Sequence, residues 1–394
     1  MQVNITEKIK YIGVDDMDLD LFESQFIVPE GVSYNSYVIL DEKTAVLDTV
    51  DRRKSREWEE RLLAELNGRT VDYLVLHHVE PDHAGSVARI MELFPEMILV
   101  GNQKTFLFLS QFLQESLEGR TLVIKEGDVL ALGEHRLTFY MATMVHWPEV
   151  MMSYEAKEKI LFSADAFGKF GALENTVGEE WACDARRYYF NIVGKYGVAV
   201  QAVLKKLSRL DIAIICSLHG PVLKEDIAEY IRLYSIWSSY EPESKGVLVA
   251  YASIHGNTAF VAEQFAQMLR ECGEENIIVT DLAREDIAKA VEDAFRYDRM
   301  VVAAASYDAG VFPRMRDFLL LLQGKNYQKR KVGIIENGTW SPSAGRMMHG
   351  ILSEMKSVEI AEPMVTIYST MKEADRLYLE ELAVEMTKRT EKES

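Results

Sequence analysis

The pattern of apolar and polar positions changes character once along the 394-residue chain. In the first half, short apolar runs alternate with polar turns. Strands are expected at 34–40, 44–48, 72–76, 97–100, 122–124, 136–141, 150–154 and 160–163. The runs 33–40 and 44–47, split by Asp41-Glu42-Lys43, read as a hairpin. Such a series suits two packed sheets with helices outside, and it closes on an expected helix at 224–237. Beyond it, strand and helix alternate. Strands are expected at 247–252, 277–280, 300–305, 332–336 and 364–367. Between the first two, a helix at 258–272 lines up Val261, Phe265, Met268, Leu269 and Cys272 as one apolar stripe. This second pattern predicts an open, doubly wound, five-stranded parallel sheet. The polar stretch from Ser238 to Gly246 separates the two patterns, so domains are expected at 1–244 and 245–394.

Composition narrows the class. The chain is 48% hydrophobic and 27% charged, as ordinary globular proteins are. Its formal net charge of −18 repels phosphate and argues against nucleic acid or an anionic membrane as partner. The first residues carry no apolar signal-peptide core, and no apolar run is long enough to span a bilayer. Cys183, Cys216 and Cys272 lie far apart with no CxxC pair, which excludes a disulfide scaffold and fits a reducing cytoplasm.

The candidate chemistry of the first half begins at Leu76-His77-His78-Val79-Glu80-Pro81-Asp82-His83, directly after an expected strand. In an extended segment alternate residues share a face, so His78, Glu80 and Asp82 are expected to converge while His77 points away. His146, Asp165 and His219 each follow an apolar strand and precede a turn with Pro or Gly, where ligands belong if a sandwich holds metal at one edge. Three carboxylates (Glu80, Asp82, Asp165) and four imidazoles (His78, His83, His146, His219), without thiolates, form a hard-to-borderline field for two divalent cations. Trp147 beside His146 is a candidate shield for the centre.

In the second half, strand 247–252 runs into Ser253-Ile254-His255-Gly256-Asn257-Thr258 and then a helix. Backbone N–H groups at that helix start, with neutral donors from Ser253, Asn257 and Thr258, make an anion cradle without Lys or Arg. It is neither a Walker loop nor GxGxxG.

The ligand order resembles the metallo-β-lactamase superfamily, and within it the flavodiiron (A-type flavoprotein) branch. Hydrolases of that superfamily usually carry His-x-His-x-Asp-His and bind zinc. Here Glu80 stands where the second histidine would be, which moves preference toward iron. The resemblance implies a metallo-β-lactamase-like αββα sandwich followed by a flavodoxin-like domain, with two irons bridged by oxo or hydroxo. One iron would take His78, Glu80, His146 and Asp165; the other Asp82, His83, Asp165 and His219. The loop 253–258 is similar to the FMN-phosphate loop of flavodoxins, including His255 and Gly256. Ser306, Tyr307, Asp308, Gly310 and Phe312 after the third strand, and Gly338, Thr339 and Trp340 after the fourth, stand where flavodoxins hold the isoalloxazine ring. No rubredoxin or flavin-reductase module follows, so the two-domain form is expected.

The implied activity is reduction of O2 to water, of NO to N2O, or both, with a rubredoxin or a flavin reductase as electron donor. The implied assembly is a head-to-tail homodimer or a dimer of dimers, because FMN and metal sit at the edges of different sheets. Two other readings stand beside this one. One is a dizinc hydrolase with a flavodoxin-like appendage, against which Glu80 and the complete second half speak. The other is a flavodoxin-like electron carrier with an inactive metal domain, which the intact ligand set opposes.

Overall fold

In the computed structural model, which describes residues 5–175 and 181–388, the apolar runs of the first half become two sheets. One holds six strands in the order Ile9–Tyr11, Tyr37–Leu40, Thr44–Leu47, Tyr73–Val75, Ile98–Gly101 and Thr121–Val123. The other holds five, in the order Val129–Ala131, Arg136–Met141, Met151–Glu155, Ile160–Phe162 and Ile214–Cys216. Their inward faces share one core, in which Tyr37, Ile39, Leu47 and Val75 meet Leu137, Phe139, Met151 and Phe162. Helices flank the sheets and bury one stripe each, such as Trp58, Leu62 and Leu66 of Ser55–Leu66. Each such side chain contributes roughly 1.5–3 kcal/mol on burial, enough to hold helices that would be marginal alone.

Two expectations need correcting here. The run at 34–40 is not one strand: Val32–Tyr34 pairs with Val14–Asp16, and Tyr37–Leu40 pairs with Thr44–Leu47. Between them Asn35 donates from its backbone to Leu218 and from its side chain to the carbonyls of Ser217 and Gly220. Ser36 donates to the Asp48 carbonyl at 2.8 Å. These bonds to distant carbonyls replace the sheet ladder at Asn35 and Ser36, and those of Asn35 fasten the loop that carries His219.

The second correction concerns the boundary. The chain divides into two compact units, Met1–Ser235 and Ile236–Ser394, inside the helix Ile227–Ser238 rather than after Ser244. The polar stretch that reads as a linker is tied to the second unit. Arg330 donates to the Tyr240 carbonyl at 2.8 Å, and Lys329 pairs with Glu241 at 2.7 Å.

The second unit is a parallel sheet in the order Ile277–Asp281, Ser244–Ala252, Tyr297–Tyr307, Lys331–Asn337, followed by a last strand in two pieces, Glu359–Ile360 and Val365–Ile367. Pro363 between the pieces has no N–H for the ladder. Numbered along the chain the order is 2-1-3-4-5, the flavodoxin-like doubly wound arrangement. Helices Asn257–Glu271 and Glu373–Thr387 cover one face, where Val261, Phe265, Leu379 and Leu382 pack on Val249, Val301 and Ile335. Cys272, expected to extend the buried stripe, lies past the helix end and is exposed. Among the described residues no helix is long and apolar enough to cross a membrane.

Candidate metal centre and flavin cleft

The strand Tyr73–Val75 runs into His77-His78-Val79-Glu80, but the backbone does not stay extended through Asp82 as expected. Pro81 opens a short helix, Pro81–Ala84, and its ring holds Glu80 extended at φ −58° and ψ 144°. The bend divides the ligand candidates into two groups. Glu80 Oε2 lies 3.2 Å from His78 Nε2 and 3.0 Å from His146 Nε2. Asp82 Oδ2 lies 3.4 Å from His83 Nε2 and 3.3 Å from His219 Nε2. Asp165 faces both groups: Oδ2 is 3.3 Å from His78 and 3.2 Å from His146, while Oδ1 is 3.3 Å from His83 and 3.7 Å from His219. All seven candidates therefore meet at one place, His146, Asp165 and His219 arriving from loops that follow three strands of the second sheet.

A buried layer behind the imidazoles sets their direction. His78 donates from Nδ1 to Glu149 at 2.6 Å, and His219 donates from Nδ1 to the Ser33 carbonyl at 2.8 Å, so each turns Nε2 to the carboxylates. His77 points the other way, donating to Asp48 at 2.6 Å and accepting from the Ser153 hydroxyl at 2.8 Å. That serine, histidine and aspartate sequence of bonds has the order of a hydrolytic triad. All three side chains are fully buried, however, and their bonds clamp the strand end instead. Aromatic edges close round both groups: Trp147 stands 5.2 Å from His78 and 6.2 Å from His146, and Phe22 stands 5.3 Å from His219.

The donor set fits cations. Both Asp165 oxygens, Asp82 Oδ1 and both His83 nitrogens are buried without a hydrogen-bond partner, a costly state unless something else satisfies them. Within each group one donor atom per residue lies within 4.8 Å of the rest. The electrostatics agree. Burial pushes the Asp165 carboxyl up, but His78, His146 and His83 outweigh it and hold it well below the usual range. Burial also raises Glu80, and His146 and His78 bring it down to about 2. Conversely, burial disfavours protonated His146, yet Asp165 and Glu80 lift it to about 9. The cluster thus gathers positive charge on its imidazoles, the charge that two cations supply instead.

In the second unit a cavity of about 490 Å³ opens at the carboxyl ends of the strands, where ligands of doubly wound sheets bind. Of the thirteen residues expected there, Ser253, His255, Asn257, Thr258, Ser306, Tyr307, Asp308, Gly338, Thr339 and Trp340 line it. Gly256, Gly310 and Phe312 do not. Gly256, at φ +92°, shapes the turn and donates to the Ser253 hydroxyl. Gly310 pairs with Tyr307 across a tight hairpin whose central residues, Asp308 and Ala309, both have positive φ. Phe312 caps the next helix and packs edge-on against Tyr307 at 5.8 Å. The Ser306 hydroxyl accepts the backbone N–H groups of Ser343 and Ala344, so it fastens a helix start as well as facing the cavity. Trp340 is 81% exposed, a broad indole at the mouth.

Sequence reasoning missed Glu149, Ser33 and Ser369. Glu149 shares the short stretch His146-Trp147-Pro148-Glu149 with a ligand candidate, and a carboxylate three residues from a ligand histidine was the available signal. Ser33 acts through its backbone, and Ser369 reaches the cavity only because the fifth strand ends beside the fourth. There it exchanges two hydrogen bonds with Asn337, at 2.9 and 3.1 Å. Neither had a local signal.

Comparison with known proteins agrees with this geometry. Residues 32–220 match the family described as "ODP family beta lactamase". Over 371 residues the chain is 28% identical to an anaerobic nitric oxide reductase flavorubredoxin of Aliivibrio salmonicida, covering 90% of this chain and 72% of that one. Its fold matches rubredoxin oxygen:oxidoreductase from Desulfovibrio gigas with a TM-score of 0.92 at 23% identity, over 98% of both chains. The flavodiiron protein from Giardia intestinalis matches with a TM-score of 0.88 at 23% identity, over 98% of this chain and 96% of that one. The family match over the first unit, the relatives aligned along most of the chain and the shared fold together make the chain similar to flavodiiron, or A-type, flavoproteins.

Proposed function

We propose that the protein is an oxidoreductase that reduces O2 to water, NO to N2O, or both, at a di-iron centre supplied with electrons by FMN. The observation that carries this reading is Asp165, one buried carboxylate facing two histidine and carboxylate groups with opposite oxygens. Such a pair of sites suits two adjacent cations acting on one small substrate. When bound, two irons and a flavin supply the four electrons that take O2 to two waters, or the two that take a pair of NO molecules to N2O and water.

The chain's own residues then have separate tasks. His78, Glu80, His146 and Asp165 hold one iron, and Asp82, His83, His219 and Asp165 hold the other. Glu149 and the Ser33 carbonyl keep the His78 and His219 rings in the tautomer that offers Nε2. Trp147 and Phe22 limit water beside the metals. Ser253, Asn257, Thr258 and the free N–H groups of the helix start at Asn257 hold the FMN phosphate without a basic side chain. Tyr307 and Trp340 flank the ring.

Relatives named for nitric oxide reduction and for rubredoxin and oxygen support both gases as substrates and a rubredoxin as donor. A flavin reductase is the other donor class. A head-to-tail homodimer, alone or paired, belongs to the same reading, and an active monomer in analytical ultracentrifugation refutes it. A cytoplasmic location belongs to this reading too, in keeping with three cysteines that lie far apart in the sequence without a CxxC pair.

The test is gas uptake by iron-reconstituted, FMN-loaded protein given a chemical reductant or reduced rubredoxin, with catalase added late in the oxygen trace. Oxygen consumed and not returned by catalase, or NO converted to N2O, is the expected result. Return of about half the oxygen, the stoichiometry of peroxide dismutation, with no N2O from NO, shows a merely autoxidising flavin and overturns the reading.

A further inference from the structure

We infer that Glu149 makes the two cation positions unequal: as a positioning residue behind His78, it renders the His78, Glu80 and His146 position the tighter of the two. This rests on the two-cation reading above and deepens it. Glu149 and His78 are both fully buried, and the His78 Nδ1–H donates to Glu149 Oε1 at 2.6 Å. The same oxygen accepts the Val79 backbone N–H at 3.2 Å, a longer bond, while Oε2 has no hydrogen-bond partner. Among the described residues the other position has no equivalent. His219 is backed at 2.8 Å by the Ser33 carbonyl, which is neutral, and His83 Nδ1 is buried without a partner.

A carboxylate polarises the N–H it accepts and makes the opposite ring nitrogen a stronger electron-pair donor, and a carbonyl does so less. In a buried site the negative charge is weakly screened and adds directly to the attraction for a cation. Each position has one carboxylate of its own, Glu80 or Asp82, and one oxygen of Asp165. Glu149 is what breaks that symmetry, and partners of this kind typically change metal affinity about 10–100-fold.

The experiment titrates metal-free, FMN-loaded protein with Co(II) against a competing chelator, following the cobalt absorption bands. Wild type is expected to bind two Co(II) in two steps separated roughly 10–100-fold. E149Q keeps an acceptor oxygen but removes the charge. It is expected to weaken the tighter step by about tenfold or more, with the weaker step and the FMN content unchanged. E80Q is expected to weaken the tighter step and D82N the weaker one, which identifies the positions even should E149Q fold poorly. Two equal steps in wild type, an E149Q titration superimposable on wild type, or the reverse assignment by E80Q and D82N overturns the inference while leaving the di-iron reading intact. Wild-type protein that binds no Co(II) removes both.

Discussion

The two units hold their candidate sites in opposite ways. In the first unit every histidine of the metal cluster is buried, and the rings of His78 and His219 are braced from behind by second partners. In the second unit the cavity is lined by loop tips: His255, Tyr307 and Trp340 are exposed, and the anchoring groups are hydroxyls and backbone N–H. The contrast follows from the ligands each can take. A cation needs charged donors at fixed separations, and gathering them in a dry interior is unfavourable unless the cation is there. A flavin phosphate can be held by helix-end N–H groups already present in the backbone, and the ring needs flat apolar cover more than exact placement. Side-chain identity therefore carries the first site and backbone conformation carries the second.

The largest effect that tests this contrast is expected from Asp165→Ala. Gas reduction should fall more than a hundredfold, beyond what loss of a mere neighbour of a ligand causes, while flavin absorbance still reports one FMN per chain. Loss of FMN from this variant breaks the separation between the units. Next in size is the response to metal. Adding Co(II) to metal-free protein at about a hundred times its dissociation constant should stabilise the fold by about 2.7 kcal/mol, seen as a rise in melting temperature. The Asp165→Ala protein should show little of that rise.

A smaller effect should come from the backbone of the second unit. Gly256 sits at φ +92° with open space where a Cβ would go, so Gly256→Ala meets strain without a clash. Roughly 1–2 kcal/mol of left-handed strain should weaken FMN binding about 5–30-fold in a fluorescence titration, with metal content unchanged. Smallest is Trp340→Ala. An indole this exposed contributes within about 0.5 kcal/mol to stability. Its removal should cost about 1 kcal/mol of ring contact, near fivefold in FMN affinity. A Trp340→Ala protein that melts several degrees lower contradicts its placement at an open mouth.

Much of the architecture was legible because it rests on local periodicity. Strand 136–141 was read to the residue, and the helix that opens the flavin cleft differs by one residue at each end. The misreadings have identifiable causes. Asn35 and Ser36 sit in an apolar run, yet their side chains bond to distant carbonyls and break it. Treating 78–82 as extended ignored what Pro81 does to the backbone on either side of it. Phe312 was expected at the ring because it lies in the right loop, but the hairpin at Asp308 and Ala309 turns it onto Tyr307.

The sequence by itself determined which donors exist, their order, and the strand ends that carry them, since residue type and short-range pattern are written locally. It also determined the anion cradle, which needs only a strand, a glycine turn and a helix start. The division into two groups that share Asp165 came only through the family resemblance. Only the tertiary structure decided at what distances Asp165 faces each group, and that Glu149 backs one group while a neutral carbonyl backs the other. Those relations join loops from different strands across two sheets, and their distances are set by how the shared core packs the sheets together. Charge separations of a few ångströms govern metal affinity, and no spacing along the chain encodes them.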